Sequence, residues 1–267
     1  MASITGAMIA VDLRFTSSGL SDKIVGNVWQ KKGSNTINFD NDCPYGNGDK
    51  VITITRIGPY YELPAGTNSN LVFNASDDWT IAFWFKRHPT SESGYDTILN
   101  GKRHLGYQRI SLSTWRQWLP GFIPRTGHPT NSSYEAYSQK QIPIEPTQND
   151  SNWQTNGRYH YISFQKKDDE YIIHIDGERT TKPPGRLTAE PTNVWDFNTG
   201  GTGLFNESNG DNNAYIAGQF FDIVVIKGKA LWYGNYYNPP TKYLTEDGYD
   251  PTVCNTQQTK INDVKMY

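Results

Sequence analysis

Glu170, Asp176 and Glu178, in the stretch EYIIHIDGE, are the acids of this chain that come nearest in spacing to a hydrolytic pair. A retaining glycosidase holds two carboxyl groups about 5–5.5 Å apart, one as nucleophile and one as acid/base. Asp176-Gly177, however, reads as a hairpin turn, so Glu178 lies on the returning strand, out of reach of Glu170. The histidines His88, His104, His128, His160 and His174 are isolated, with no His-x-x-x-His or Cys-His cluster of the kind that holds zinc. His160 and His174 fall in adjacent strand-like runs, where a facing, hydrogen-bonded pair is expected rather than a metal centre. Ser, His and Asp all occur, but no motif arranges them as nucleophile and base. The segment ESNGDNNA (207–214) has the oxygen donors that calcium favours. Asn-Gly-Asp-Asn is equally turn chemistry, so no metal site is assigned. The expectation is a chain with no catalytic residues, no metal and no cofactor.

A different chemistry is concentrated between residues 115 and 153. STWRQWLPGF carries Trp115 and Trp118 around Arg116, NSSYEAY carries Tyr134 and Tyr137, and SNWQ carries Trp153. Aromatic faces with a few hydrogen-bonding groups are how a shallow site holds a pyranose. Aromatics gathered on one exposed loop are costly without a partner. The alternative is that they pin the loop to the sheet beneath it.

The elements that must position these residues are strands. Runs of strand character occur at 7–15, 50–57, 60–64 and 79–87. In WTIAFWFKR (79–87), Trp79, Ile81, Phe83 and Phe85 share one face, with Thr80, Ala82 and Trp84 on the other. Runs at 96–102 and 107–114 suggest a hairpin. Residues 158–181 hold two strands around a Lys-Lys-Asp-Asp turn and a third after Asp176-Gly177. AYIAGQF and FDIVVIKG (214–228) read as a last pair. Expected core positions include Trp79, Ile81, Phe83, Ile173, Ile223 and Val225. No twelve-residue segment shows helical periodicity, so the chain is all-β. Residues 115–157 and 183–213 read as long loops and 245–267 as a polar tail, within one domain spanning 1–267.

These runs, in this order, resemble the laminin-G-like and concanavalin-A-like jelly rolls. LVFNASDDWTIAFWFKR resembles their Asp-(Trp/Phe)-Thr-Ile-x-Phe-Trp strand, and DTILNGKRHLGYQRISLS the hairpin that follows it. GRYHYISFQKKDDEYIIHIDGERTT is similar to their Trp-x-His…Asp-Gly segment, with Tyr159 where Trp is common. YIAGQFFDIVVIKGKALWYGNYYNPPTKYL is similar to the closing motif of such domains in tailed-phage structural proteins. The resemblance covers roughly residues 5–245. It implies a two-sheet antiparallel sandwich whose final core strand joins the sheet of the N-terminal strand. Trp232, Tyr233, Tyr236 and Tyr237 are then expected to lie back over that sheet's edge. The glucanases of this fold carry a Glu-x-Asp-x-(x)-Glu run on one strand, and none is present here.

Bulk properties narrow the partners. The chain has 267 residues, of which 19% are charged and 13% aromatic, and its formal net charge is −2. With no run of Lys or Arg longer than two, nucleic acid is not an expected partner. No apolar run reaches the roughly 18 residues of a membrane span. Cys43 and Cys254 read as free thiols, one bridge between them being the alternative. The N-terminus lacks the pattern of a signal peptide, which fits a virion protein assembled in the host cytoplasm. The resulting expectation is a non-catalytic phage virion component on the particle exterior (fibre, baseplate or capsid surface). It would be present in many copies, touch other virion proteins, and bind a host-surface glycan through Trp115, Arg116, Trp118, Tyr134, Tyr137 and Trp153. The alternatives are a decoration protein whose loops contact neighbouring subunits, and an extracellular cellular lectin.

Overall fold

The computed structural model describes residues 9–33, 36–54, 60–74, 76–87, 95–101, 108–113, 119–124, 136–137, 157–168, 170–180, 195–205 and 218–245. Eighteen strands lie within them. The first third contributes β1 (Ile9–Thr16), β2 (Gly19–Asp22), β3 (Gln30–Lys32), β4 (Asn38–Asp40), β5 (Val51–Ile54), β6 (Tyr60–Leu63), β7 (Val72–Phe73) and β8 (Trp79–Arg87). The middle adds β9 (Tyr95–Gly101), β10 (Gln108–Ser113), β11 (Leu119–Pro124), β12 (Ala136–Tyr137), β13 (His160–Lys167), β14 (Glu170–Ile175) and β15 (Glu178–Arg179). Last come β16 (Trp195–Asp196), β17 (Thr202–Leu204) and β18 (Gly218–Lys227). Among the described residues the only other regular element is a 3₁₀ turn at Ser69–Leu71.

Two antiparallel sheets carry the architecture, a β-sandwich of jelly-roll type. The first runs β15-β14-β13-β8-β18-β1-β2, with β5 and β4 extending it beside β18. The second runs β12-β11-β10-β9-β17-β6-β3. A small third sheet pairs β16 with β7. The final core strand, β18, lies between β8 and β1, so it does join the sheet of the N-terminal strand.

Alternation on β8 sets the core. Trp79, Ile81, Phe83 and Phe85 face inward and meet Ile162 and Phe164 of β13, Ile173 of β14, Phe220, Ile223 and Val225 of β18, and Leu99 and Leu204 of the second sheet. Each of the six expected core positions is buried there. Burying an aromatic such as Trp79 removes some 150–250 Å² from water. The Asp176-Gly177 turn is as expected. Both residues have positive φ, +52° and +76°, which is the type I′ geometry that matches strand twist.

Two expectations change. The run 214–228 does not form a pair of strands within the described residues. Gly218–Lys227 is one strand whose register shifts between Phe221 and Val224, with Asp222 at φ +49°. A bulge absorbs the irregularity that read as a break. Residues 115–157 are not all loop, because β11 pairs with β10 from Ser113–Leu119 to Gln108–Pro124. Pro120 and Pro124 disguised that strand. They are tolerated because β11 has only the two-residue β12 on its other side. Strands β2, β3 and β4 are short and polar and left no periodic signal.

Candidate functional site

The first sheet carries a second apolar layer on its outer face. Strand alternation puts Ala82 and Trp84 of β8, Tyr161 of β13, and Phe221, Val224 and Ile226 of β18 away from the inter-sheet core. Such a face must be covered. Residues 229–245 cover it as a strap that supplies Leu231, Trp232, Tyr237, Tyr243 and Leu244, all buried. Trp232 stacks on Tyr237 with centroids 4.3 Å apart, and Tyr161 meets both edge-on.

The strap is held largely by side chains of the sheet. The Gln165 amide accepts from the Trp232 N–H at 2.6 Å and donates to the Trp232 carbonyl at 2.5 Å. The Thr80 hydroxyl accepts from the Leu231 N–H and donates to the Lys229 carbonyl, both at 3.0 Å. His174 Nε2 donates to the Gly234 carbonyl at 2.9 Å, and the Tyr237 hydroxyl donates to Ser163 at 3.0 Å. Backbone bonds from Tyr237 to Gly177 and from Arg179 to Asn235 tie the strap to β15. The aromatics expected over the sheet's edge therefore divide. Trp232 and Tyr237 lie on the outer face, Tyr236 bridges to Glu178 at the edge, and Tyr233 is 56% exposed. The outer face attracts the first two because it, and not the edge, carries the unburied apolar area.

Chemically suggestive groups of the first sheet are consumed by this layering. Ser163 and His174 do come together, with Oγ and Nδ1 3.5 Å apart, but both are sealed under the strap. His174 is spent on Gly234, and burial pushes its pKa down to about 4. His160 and His174 do not face each other. His160 instead pairs with Asp176 at 2.7 Å, while Asp176 also accepts from the Tyr161 N–H. Glu170 pairs with Arg179, and Glu178 stands opposite Ile175 at the far end of β14. Strand spacing thus keeps these two glutamates apart. Beside the start of β13 the Lys86 ammonium lies 4.4 Å from the Tyr159 ring and pairs with Asp42. Burial lowers its pKa, with Asp42 opposing the shift. Asp222 accepts from the Tyr45 hydroxyl at 2.6 Å, and burial raises its carboxyl to about 7. Cys43 is a free thiol that donates to Asn47. Cys254 and the segment 207–214 lie outside the described residues.

The second sheet differs in register content. One row crosses all seven strands as Lys31, Tyr61, Leu204, Leu99, Ile110, Phe122 and Ala136. Tyr61, Leu204 and Leu99 belong to the inter-sheet core, so this row marks the inner face. Two further rows of paired residues flank it, with a register shift on β9 between Leu99 and Thr97. One of them reads Gln30, Glu62, Gly203, Asn100, Arg109 and Ile123. The other reads Thr97, Ser111, Gly121 and Tyr137, about 7 Å further along the strands. Gln30 is exposed and Glu62 partly so. Most positions in these rows carry hydrogen-bonding side chains, and two are glycines.

Of the six residues expected to bind, Tyr137 lies on β12, opposite Gly121 in the second of these rows. Trp115, Arg116 and Trp118 belong to the segment joining β10 and β11, which leaves the sheet at the pair Ser113–Leu119. Those three, with Tyr134 and Trp153, lie outside the described residues. Arg109, Asn100 and Ser111 were missed because single polar residues in short strands look like ordinary solvent-facing positions. Only the register aligns them with Tyr137.

No family model matches the chain, and no curated protein matches it in sequence. Solved structures do. Domain 4 of AbnA, an extracellular arabinanase of Geobacillus stearothermophilus solved with arabinotriose, is similar over 83% of this chain and 93% of its own, at TM-score 0.57 and 14% identity. The binding domain of Paraclostridial Mosquitocidal Protein 1 is similar over 84% of this chain, at TM-score 0.55 and 14% identity. The sialidase of Trypanosoma rangeli, solved with sialic acid, matches over 84% at TM-score 0.51 and 12% identity. The chain spans 49% of the toxin binding domain and 31% of the sialidase chain. At these identities the likeness is one of fold.

Proposed function

We propose that this chain is a glycan-binding module that holds its ligand without cleaving it. The observation that carries the reading is the contrast between the two sheets. The first sheet's outer face is apolar and roofed, whereas strand register in the second brings Glu62, Gly203, Asn100 and Arg109 into one row and Ser111, Gly121 and Tyr137 into another. Trp115, Arg116, Trp118, Tyr134 and Trp153 flank β11, β12 and β13 in sequence and would add stacking faces to one side. The similarity in fold to a sandwich domain solved with arabinotriose, and to a toxin binding domain, supports the same reading. The acids and histidines described on the first sheet are committed to turns, ion pairs and the strap, which favours binding over hydrolysis.

The finer reading is a tailed-phage virion component displayed on the particle exterior, and it rests on the closing motif of residues 215–244. Single-site affinity in a shallow site is weak, and display in many copies supplies avidity. A glycan array probed with the wild type, Arg109→Ala/Tyr137→Ala and Trp115→Ala/Trp118→Ala tests the binding. Loss of at least tenfold in apparent affinity in still-folded variants is expected. Unchanged binding, or release of reducing sugar, refutes the reading. Mass spectrometry of purified particles tests the virion assignment, which fails if the chain is missing. Normal adsorption with failed particle assembly in the Trp variants would make the loop a subunit contact instead.

A further inference from the structure

We propose that the strap over the first sheet is an acid-responsive latch that releases at its first half, residues 229–238, while its second half stays docked. The geometry carries the argument. The first half is anchored to β13 and β14 through Ser163, Gln165 and His174, and each group already has a fixed donor or acceptor role. A carbonyl can only accept, so the His174–Gly234 bond requires the proton on Nε2. Nδ1 must then act as the acceptor, and its neighbours are Gln165 Nε2 at 3.3 Å and Ser163 Oγ at 3.5 Å. The Gln165 amide cannot turn over, because its oxygen holds the Trp232 N–H and its nitrogen the Trp232 carbonyl. Protonating His174 therefore sets Nδ1–H against the fixed N–H of Gln165 and leaves it only the longer 3.5 Å contact to Ser163 Oγ, which already accepts from Tyr237, inside a layer closed by the Tyr237 ring at 5.0 Å. Strap release relieves this conflict by exposing the imidazole to water.

The surroundings reinforce the direction. Arg179 on β15 also disfavours a cationic His174. The other titratable groups on β15 and the first half of the strap are Glu178, Lys229, Tyr233, Tyr236 and Tyr237, of which Tyr237 donates to Ser163. On β13 and β14, Lys166, Lys167 and Glu170 lie at the turn end of their hairpin, away from His174, while His160 pairs with Asp176 in the β14–β15 turn. At the strap's other end the sign is opposite. Tyr243 packs on Tyr45, whose hydroxyl donates to Asp222, and the Arg14 guanidinium lies 3.7 Å from the Tyr243 ring. Acid neutralises Asp222 where burial already favours the neutral form, so that anchor strengthens as the other fails. Pro239 and Pro240 lie between the two anchors and limit how far the loosening spreads.

The test is amide hydrogen exchange on the whole chain between pH 7 and pH 4.5, corrected for intrinsic exchange rates. With His174 near 4 when covered and near 6.5 when free, linkage predicts roughly 50-fold more opening of residues 229–238 at pH 4.5, with 241–245, β8 and β18 unchanged. His174→Gln keeps a donor for Gly234 and does not titrate, so its pH dependence should vanish. A uniform rise along the chain overturns the proposal, as does a strap transition that persists in the variant. If the variant does not fold, an imidazole titration of the wild type by NMR decides alone: a folded-state His174 pKa at or above 6 refutes the latch.

Discussion

Gln165 shows how much one side chain can hold. Its amide saturates both backbone groups of Trp232 inside a sealed layer, so Gln165→Ala leaves a donor and an acceptor buried without partners. A loss of about 2–4 kcal/mol is expected, read from the urea midpoint. Lys86 and Asp42 make the contrasting case. Lys86→Met keeps the packing on Tyr159 and frees a carboxylate that is already half exposed, so stability should change by less than about 1 kcal/mol. Asp42→Ala leaves the buried ammonium without that carboxylate and should cost clearly more in the same measurement. Asp222 titrates in a direction that can be checked. Its folded pKa is raised, so its contribution to stability is full below about pH 4 and lost as pH rises through 7. Asp222→Asn keeps an acceptor for Tyr45 and suits a residue at φ +49°. It should raise the melting temperature at pH 8 and leave it nearly unchanged at pH 4.

At the scale of elements, two close approaches fix how strands and strap meet. A Cβ on Gly218 would lie 2.3 Å from the Phe85 ring and 2.6 Å from the Lys86 carbonyl. Gly218→Ala must push β18 from β8 at the start of their pairing and should cost about 1–3 kcal/mol or more. Gly177 sits at φ +76°, where a Cβ would fall 1.9 Å from the Tyr237 carbonyl. The same glycine thus closes the β14–β15 turn and lets the strap pass over it. Edge strand β15 has only two residues, and the strap bonds along it, so the first sheet offers no long free edge on that side.

For the whole molecule, His174 and Asp222 act in opposition across one pH window. His174, with its folded pKa lowered, loses stability as pH falls from 6.5 towards 4, while Asp222 gains it from 7 downward. Global stability should therefore vary little over that range. In Asp222→Asn the His174 loss is unopposed, and denaturant midpoints at pH 7 and 4.5 should diverge further than in the wild type. A variant whose midpoints diverge no further would show that groups elsewhere dominate the acid response.

Local sequence was enough for the strands, the hairpin turn and the core. Alternation at Trp79, Ile81, Phe83 and Phe85 is a property of neighbouring residues, and positive φ at Asp176-Gly177 is set by two of them. The same locality explains the errors. A bulge at Asp222 looks like a strand end, and prolines in β11 look like a loop, until a partner strand shows which backbone groups need bonds. Trp232 and Tyr237 were legible as packing residues, but whether they cover an edge or a face depends on which apolar surface is left unburied, a sum over β8, β13 and β18. The alignment of Glu62, Asn100, Arg109, Ser111 and Tyr137 is likewise a matter of register across the six strands β6, β17, β9, β10, β11 and β12. Composition and alternation determined that this chain is all-β, and the ordered motifs carried its resemblance to a two-sheet sandwich. Only the tertiary pairing decided which face is roofed and which polar residues share a row, because burial and register are relations between strands and belong to no single stretch of chain.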